Sequence, residues 1–224
     1  LSLGVQSFDD AALEFLKRNH DGAAARRALD LALAAFPNVT FDLIYALPEQ
    51  SLEAWRSALR EALGFRPSHI SLYQLTIEKG TAFDRAVGRG LFRPPADDIA
   101  AELFDVAQEE TERAGLPAYE ISNHARPGAQ SRHNLLYWTG GDYVGVGPGA
   151  HGRLTLGAER LATETHARPE RYLAAIESAG SGAAATESLS REARLAEKLA
   201  MGLRLVDGTE LDAADVAQLG PRAR

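Results

Sequence analysis

The sequence predicts an α/β fold: a parallel sheet or barrel first, then a smaller, mostly helical α+β region. Three observations carry this. Apolar runs of strand length at residues 1–5, 39–47 and 69–77 are separated by helix-length stretches, the strand–helix–strand–helix–strand order of parallel sheets. The middle run, VTFDLIYAL, is too apolar to have a solvent face, as in a strand covered on both sides. Beyond Ile77 the pattern changes to turns and helices.

Taken in order, the first strand ends in Gln6-Ser7-Phe8-Asp9-Asp10, a polar turn able to cap a helix over 11–20 with Leu13 and Leu16 facing inward. A second helix, 23–36, stops at Pro37, because the residue before proline is pushed out of the helical region. After the second strand, Pro48-Glu49-Gln50-Ser51 closes the run, Ser51 caps a helix over 52–63, and Gly64 supplies the stop. The third strand follows Arg66-Pro67. Residues 78–95 read as turns, and 96–114 as a long helix ended by Gly115. Further on, the pattern predicts a hairpin over 153–165 turning at Gly157, a helix over 169–178 and a small-residue linker over 179–185. A last helix, 190–203, carries Leu195, Leu199 and Leu203 at core spacing.

Composition narrows the function. A chain of 224 residues with 45% hydrophobic content can bury a core, and its net charge of -7 argues against a broad basic surface, so nucleic acid is not an expected partner. No apolar run approaches the roughly 18 residues of a membrane span, and no leader opens the chain, so the expected compartment is cytoplasmic. There is no cysteine, hence no disulfide, zinc–thiolate site or thiolate-ligated iron–sulfur cluster within these residues. The chain opens without Met directly on a strand, and it is expected to be a piece of a longer polypeptide.

Chemistry in α/β barrels gathers at the carboxyl ends of strands, where this sequence places Gln6, Asp42 with Tyr45, and Gln74 with Thr76. Asp42 is the most informative, since a carboxylate inside Phe41-Asp42-Leu43-Ile44 is costly to bury unless something meets it. Arg18, taken alone, reads as a solvated charge. Residues 118–152 hold three of the six histidines, four aromatics and a run of glycines, a mixture suited to gripping a flat, partly apolar ligand. No HxH or HExxH spacing supports a metal hydrolase.

Several ordered motifs carry a resemblance: Ser2-Leu3-Gly4-Val5-Gln6-Ser7-Phe8, residues 41–48 (FDLIYALP), residues 70–77 (ISLYQLTI), and Tyr119-Glu120-Ile121-Ser122-Asn123 with Ala125-Arg126-Pro127-Gly128. Along essentially its whole length the chain resembles the oxygen-independent coproporphyrinogen III oxidase family of radical S-adenosylmethionine (SAM) proteins. Arg132-His133-Asn134-Leu135-Leu136-Tyr137-Trp138, fitting an HNxxYW haem motif, and residues 145–151 (GVGPGAH) incline the resemblance to the haem-chaperone branch. It implies the C-terminal half of a partial (β/α)6 TIM-like barrel over 1–95. A C-terminal region over 96–224 follows, with the haem-motif segment at 118–152 and a helical cover at 168–224.

The resemblance also implies roles. Gln6 contacts the SAM nucleoside, Arg18 on the following helix grips the methionine carboxylate, Asp42 bonds the ligand, and Thr76 and His151 make more distant SAM contacts. His133, Asn134, Tyr137 and Trp138 are the implied haem-binding residues. Spaced by four, His133 and Tyr137 share a face if helical, and imidazole or phenolate ligates haem iron. His124 stands where an aromatic is common and is either a second ligand or incidental. Glu49 stands where glycine is usual, which could alter that turn, and Lys79 where proline is common. The family's [4Fe-4S] cluster needs a CxxxCxxC motif, so its cysteines are expected upstream, with no metal ligand here and no activity from this stretch alone. The implied function is binding haem as cargo and delivering it to haem-acceptor proteins, any membrane contact being peripheral and made through those acceptors. The alternative is the oxidase reaction of porphyrin biosynthesis.

Overall fold

The structure, a computed structural model, describes residues 1–219 of the chain. Its contacts divide it into two compact units, Leu1–Gln130 and a second beginning at Ser131. The first unit opens with β1 (Ser2–Gln6), α1 (Asp10–Phe15) and α2 (Gly22–Ala35), then β2 (Thr40–Tyr45), α3 (Leu52–Gly64) and β3 (His69–Gln74). It closes with α4 (Ala82–Gly88), α5 (Asp97–Arg113) and the short strands β4 (Ala118–Glu120) and β5 (Asn123–Ala125). The second unit holds α6 (Arg132–Trp138), β6 (His151–Leu156), β7 (Glu159–Thr165), α7 (Pro169–Ala179), β8 (Ala183–Ser188), α8 (Arg191–Gly202) and α9 (Ala213–Leu219).

The expected caps form. Asp9 and Ser51 accept the backbone N–H groups of Ala12 and Ala54; Ser190, read as the first residue of the last helix, is its cap instead and accepts the Ala193 N–H. The strands assemble in the order β1-β2-β3-β5-β4, with β1, β2 and β3 parallel and β5 antiparallel to β3. One face of β2 presents Phe41, Leu43 and Tyr45, all buried in one cluster with Trp55 and Leu59 of α3. Tyr45 stacks on Trp55, whose indole N–H donates to the Leu103 carbonyl of α5 at 3.0 Å. Buried Glu110 on α5 accepts from Arg56 and Arg60 of α3 and from Arg113, fixing the two helices against each other.

Several expectations need correction. β2 is fully buried on one face only; Thr40, Asp42 and Ile44 are half-exposed on the other. α1 ends at Phe15 because the chain turns left-handed at Lys17 (φ 58°), so 16–20 is not helical. Gly64 is the last helical residue of α3, and the left-handed reversal falls on Arg66 (φ 55°) instead. β3 stops at Gln74, short of Ile77, and the turn-rich stretch after it contains α4, capped by Thr81. The linker over 179–185 runs into β8, which pairs with β7 through its backbone. On α8, Leu195 is buried, whereas Leu203 is 69% exposed. The compact first unit extends past the 95/96 boundary of the sequence reading, since β5 hydrogen-bonds to β3.

Candidate functional site

Parallel register sets Gly4 beside Asp42 and Asp42 beside Ser71, and the antiparallel pairing sets Ser71 beside Asn123. A polar row thus crosses four strands on the face opposite the helix-packed core, because alternate residues of a strand share a face. At the end of β1 the register slips between Gly4 and Gln6, and Gln6 adopts φ 61°. Its amide Nε2 lies 3.3 Å from each carboxylate oxygen of Asp42, and the Val5 N–H donates to Asp42 Oδ1 at 3.1 Å. Asp42 is therefore met by two N–H donors. Glycine at position 4 permits this, since a Cβ there would fall 2.5 Å from Gln6 Nε2.

Gln6 is 6% exposed, and its Oε1 has no hydrogen-bond partner among the described residues. A buried amide acceptor left unpaired costs about 1–3 kcal/mol, so a bound donor would be held strongly there. Further along the row Ser71 Oγ donates to Asn123 Oδ1, and Asn123 Nδ2 donates to fully buried Glu120, which also accepts the Ser122 N–H. Two residues back along the strands, His69 is hydrogen-bonded to Thr40 Oγ1 at 2.6 Å and to the Tyr119 hydroxyl at 2.9 Å. Burial pushes its pKa down to about 4, keeping the ring neutral. The row beyond Asp42 escaped the sequence reading, although polar residues two apart in both Thr40/Asp42 and His69/Ser71 carried its signal.

The other expected SAM contacts lie apart from this pair. Arg18 sits on the exposed turn after α1, not on a helix, and its guanidinium bonds neither Gln6 nor Asp42. Thr76 is exposed beyond the end of β3 and donates only to the Gln74 carbonyl, at 3.3 Å. His151 is exposed at the start of β6, in the second unit. His124, a candidate second haem ligand, is 1% exposed and hydrogen-bonded through Nδ1 to Thr111 at 3.0 Å, so it is a core histidine. Burial first, and neighbouring His69 second, push its pKa down to about 4.

In the second unit Ser131 caps α6 by accepting the Asn134 N–H at 3.3 Å. One turn apart, His133 and Tyr137 do share a face: the phenol oxygen is 3.0 Å from His133 Nε2 and the rings meet edge-on at 4.6 Å. His133 is exposed, and Asn134 and Tyr137 are half-buried. Tyr143 packs edge-on against Tyr137 at 4.5 Å, while two backbone bonds pin it to Arg153 of β6. Trp138 lies under the Arg204 guanidinium, 4.4 Å from ring centre, and its buried indole N–H has no acceptor among the described residues. No cluster of three or more potential metal ligands occurs among the described residues.

No family model matches the chain. Its fold matches the solved structure of coproporphyrinogen III oxidase (HemN) from Escherichia coli, a radical SAM enzyme, with a TM-score of 0.72 at 18% identity, over 98% of this chain and 52% of that one. At that identity the likeness carries the fold alone, a partial TIM-like barrel followed by a second unit. In sequence the chain is 41% identical over 209 residues to the Mus musculus protein named Radical S-adenosyl methionine domain-containing protein 1, mitochondrial, covering 91% of this chain and 47% of that protein. Over nine tenths of its length the chain is thus similar to a protein named for a radical SAM domain. More particularly, it is 41% identical over 175 residues to the Escherichia coli protein named Heme chaperone HemW, covering 76% of this chain and 44% of that one. It is 36% identical to the Mycobacterium tuberculosis protein of the same name, covering 100% of this chain and 55% of that one. The chain thus spans about half the length of the curated relatives it matches.

Proposed function

We propose that this chain forms the cargo-handling half of a radical SAM haem chaperone, which binds haem through the α6 motif and passes it to haem-requiring proteins. The observation that carries the reading is the His133–Tyr137 pair, an exposed imidazole whose Nε2 is hydrogen-bonded to a phenol one turn away. Both groups are competent haem ligands, and the bond between them presets the imidazole's orientation. Asn134 and Trp138, on the same short helix, complete the proposed haem contacts. The proposed setting is the cytoplasm; no helix among the described residues is long and apolar enough to cross a membrane.

SAM fits the first unit on the chain's own chemistry. The unpaired, buried Oε1 of Gln6 is an acceptor for a nucleoside N–H, and Asp42 retains acceptor capacity beyond its two present donors. Arg18 supplies an exposed guanidinium for the methionine end. Thr76 is the outer contact of the first unit in this reading. The sequence has no cysteine, so none of its residues supplies a thiolate to a [4Fe-4S] cluster. Bound SAM supplies the one-electron chemistry; this chain orients it.

An anaerobic haem titration of the full-length protein, followed at the Soret band, tests the proposal. Saturable binding, weakened about tenfold or more by His133→Ala and shifted in spectrum by Tyr137→Phe, is the expected result. Absence of specific haem binding, in a sample that still cleaves SAM, would overturn it in favour of porphyrinogen oxidation.

A further inference from the structure

Beside the His133–Tyr137 pair the second unit encloses a cavity of about 250 Å³. Tyr137 and Tyr143 wall it, and its charged lining comprises Arg153, Arg160, Lys198 and Glu197. Aromatic walls with three cations suit a flat ligand that carries anionic groups, provided one of those cations can leave the carboxylate it now holds. The volume is below the roughly 300–1,000 Å³ of pockets that enclose a whole drug-sized molecule, so it is sized for one edge of a macrocycle. Gly140 and Gly141 form the turn that lines one side: Gly140 adopts φ 69°, and a Cβ on Gly141 would fall 2.4 Å from Leu136 Cδ1, so the chain packs closely against α6 there.

The three cations are not equally committed. Arg153 is clamped by Glu197, with Nε 3.1 Å from both oxygens and Nη2 2.6 Å from Oε1, a pair that ties β6 to α8. Lys198 holds Asp215 at 2.6 Å. Arg160 is held more loosely, with Nη1 3.2 Å from Asp142 Oδ1 and 3.5 Å from Thr155 Oγ1, and Nη2 3.3 Å from the Gly141 carbonyl. Asp142 does not depend on it, because Thr155 donates both its backbone N–H at 2.7 Å and its hydroxyl at 2.8 Å. Those bonds, ahead of the Arg160 charge, hold the Asp142 carboxyl below its ordinary range. Arg160 can therefore turn to an incoming carboxylate without leaving a buried charge bare.

We propose that this cavity receives the propionate edge of the bound haem, with Arg160 as the carboxylate clamp and the Tyr137 ring as the wall between that edge and His133. The inference rests on the haem reading above and adds to it the substrate feature that is recognised. A guanidinium matches a carboxylate in a bidentate, charge-assisted pair, which is lost when the acid is esterified.

The test titrates the full-length protein with iron protoporphyrin IX and with its dimethyl ester, in the wild type, Arg160→Gln and Arg160→Lys. The expected wild type binds the free acid about tenfold or more tightly than the ester, a step of one charge-assisted pair. Arg160→Gln abolishes that preference while leaving ester affinity unchanged, and Arg160→Lys restores part of it. Equal wild-type affinity for acid and ester would overturn the inference while leaving the haem reading intact. So would an Arg160→Gln variant weakened equally for both, which marks a packing role. Saturable binding of neither compound would remove both readings together.

Discussion

In the first unit, Asp42, Ser71 and Asn123 stand in one row because strand register puts them there, and Gln6, turned back at the end of β1, bonds Asp42. In the second, His133 and Tyr137 stand on a seven-residue helix, one of them exposed, bonded chiefly to each other. The difference teaches where each site's cost is carried. Polar groups in the sheet are part of what folds the unit, so altering them disturbs stability and ligand binding together. Those on α6 can be altered for function with little effect on folding.

Acid should separate the two regions most sharply. His69 and His124 are buried and neutral, with pKa values pushed down to about 4 from an ordinary 6.5. Below pH 6.5 the unfolded chain takes up protons that the folded unit refuses, so stability is full above that pH and falls as pH drops toward 4. At about 1.4 kcal/mol per pH unit for each ring, the loss reaches several kcal/mol. Glu110, held down to about 2 first by Arg60, extends the loss below its ordinary 4.5 as its ion pairs are protonated away. Urea unfolding followed by Trp55 fluorescence at stepped pH measures this, and a flat stability between pH 6.5 and 4 would break the contrast.

Substitution gives the next effect. Asp42→Ala strips the partner from the Val5 N–H and the Gln6 amide and should cost about 1–3 kcal/mol, whereas His133→Ala should stay within about 0.5 kcal/mol. Equal losses in denaturant melts would erase the distinction drawn above. The smallest effect sharpens it: Glu49 holds φ 60°, the left-handed conformation for which glycine is suited, in the turn after β2. Glu49→Gly should raise the unfolding midpoint by the equivalent of up to about 1 kcal/mol, the relief of side-chain strain partly offset by added chain entropy.

The legible parts of the sequence were those where one local signal sufficed. Apolar runs bounded by Asp9 and Ser51 gave strands and helices because caps and burial act within a few residues. Asp42 announced a partner because a carboxylate in an apolar run must have one, and Gln6, at the end of the preceding strand, was named for the same ligand. Ser71, Asn123 and Glu120 were not legible, since β4 and β5 have three residues each and their pairing depends on β3, some fifty positions away. His124 looked available in the sequence, and only the packing of α5, which brings Thr111 to its ring, makes it core. β8 is built from AAATES, poor strand formers, and takes its conformation from the hydrogen bonds β7 offers. In the same way, nothing local separated Arg160 from other surface arginines; its place beside Tyr137 and Tyr143 is a product of the fold.

The row from Gly4 to Asn123 also constrains how such a chain can change length. Inserting or deleting one residue within Thr40–Tyr45 ahead of Asp42 would swing the carboxylate onto the side packed by Trp55 and Leu59, and bring an apolar neighbour into the row. The connections, such as 36–39 and 65–68, can change length without that shift of register. In this sheet, strand length is as much a part of the polar row as the acidic residue itself.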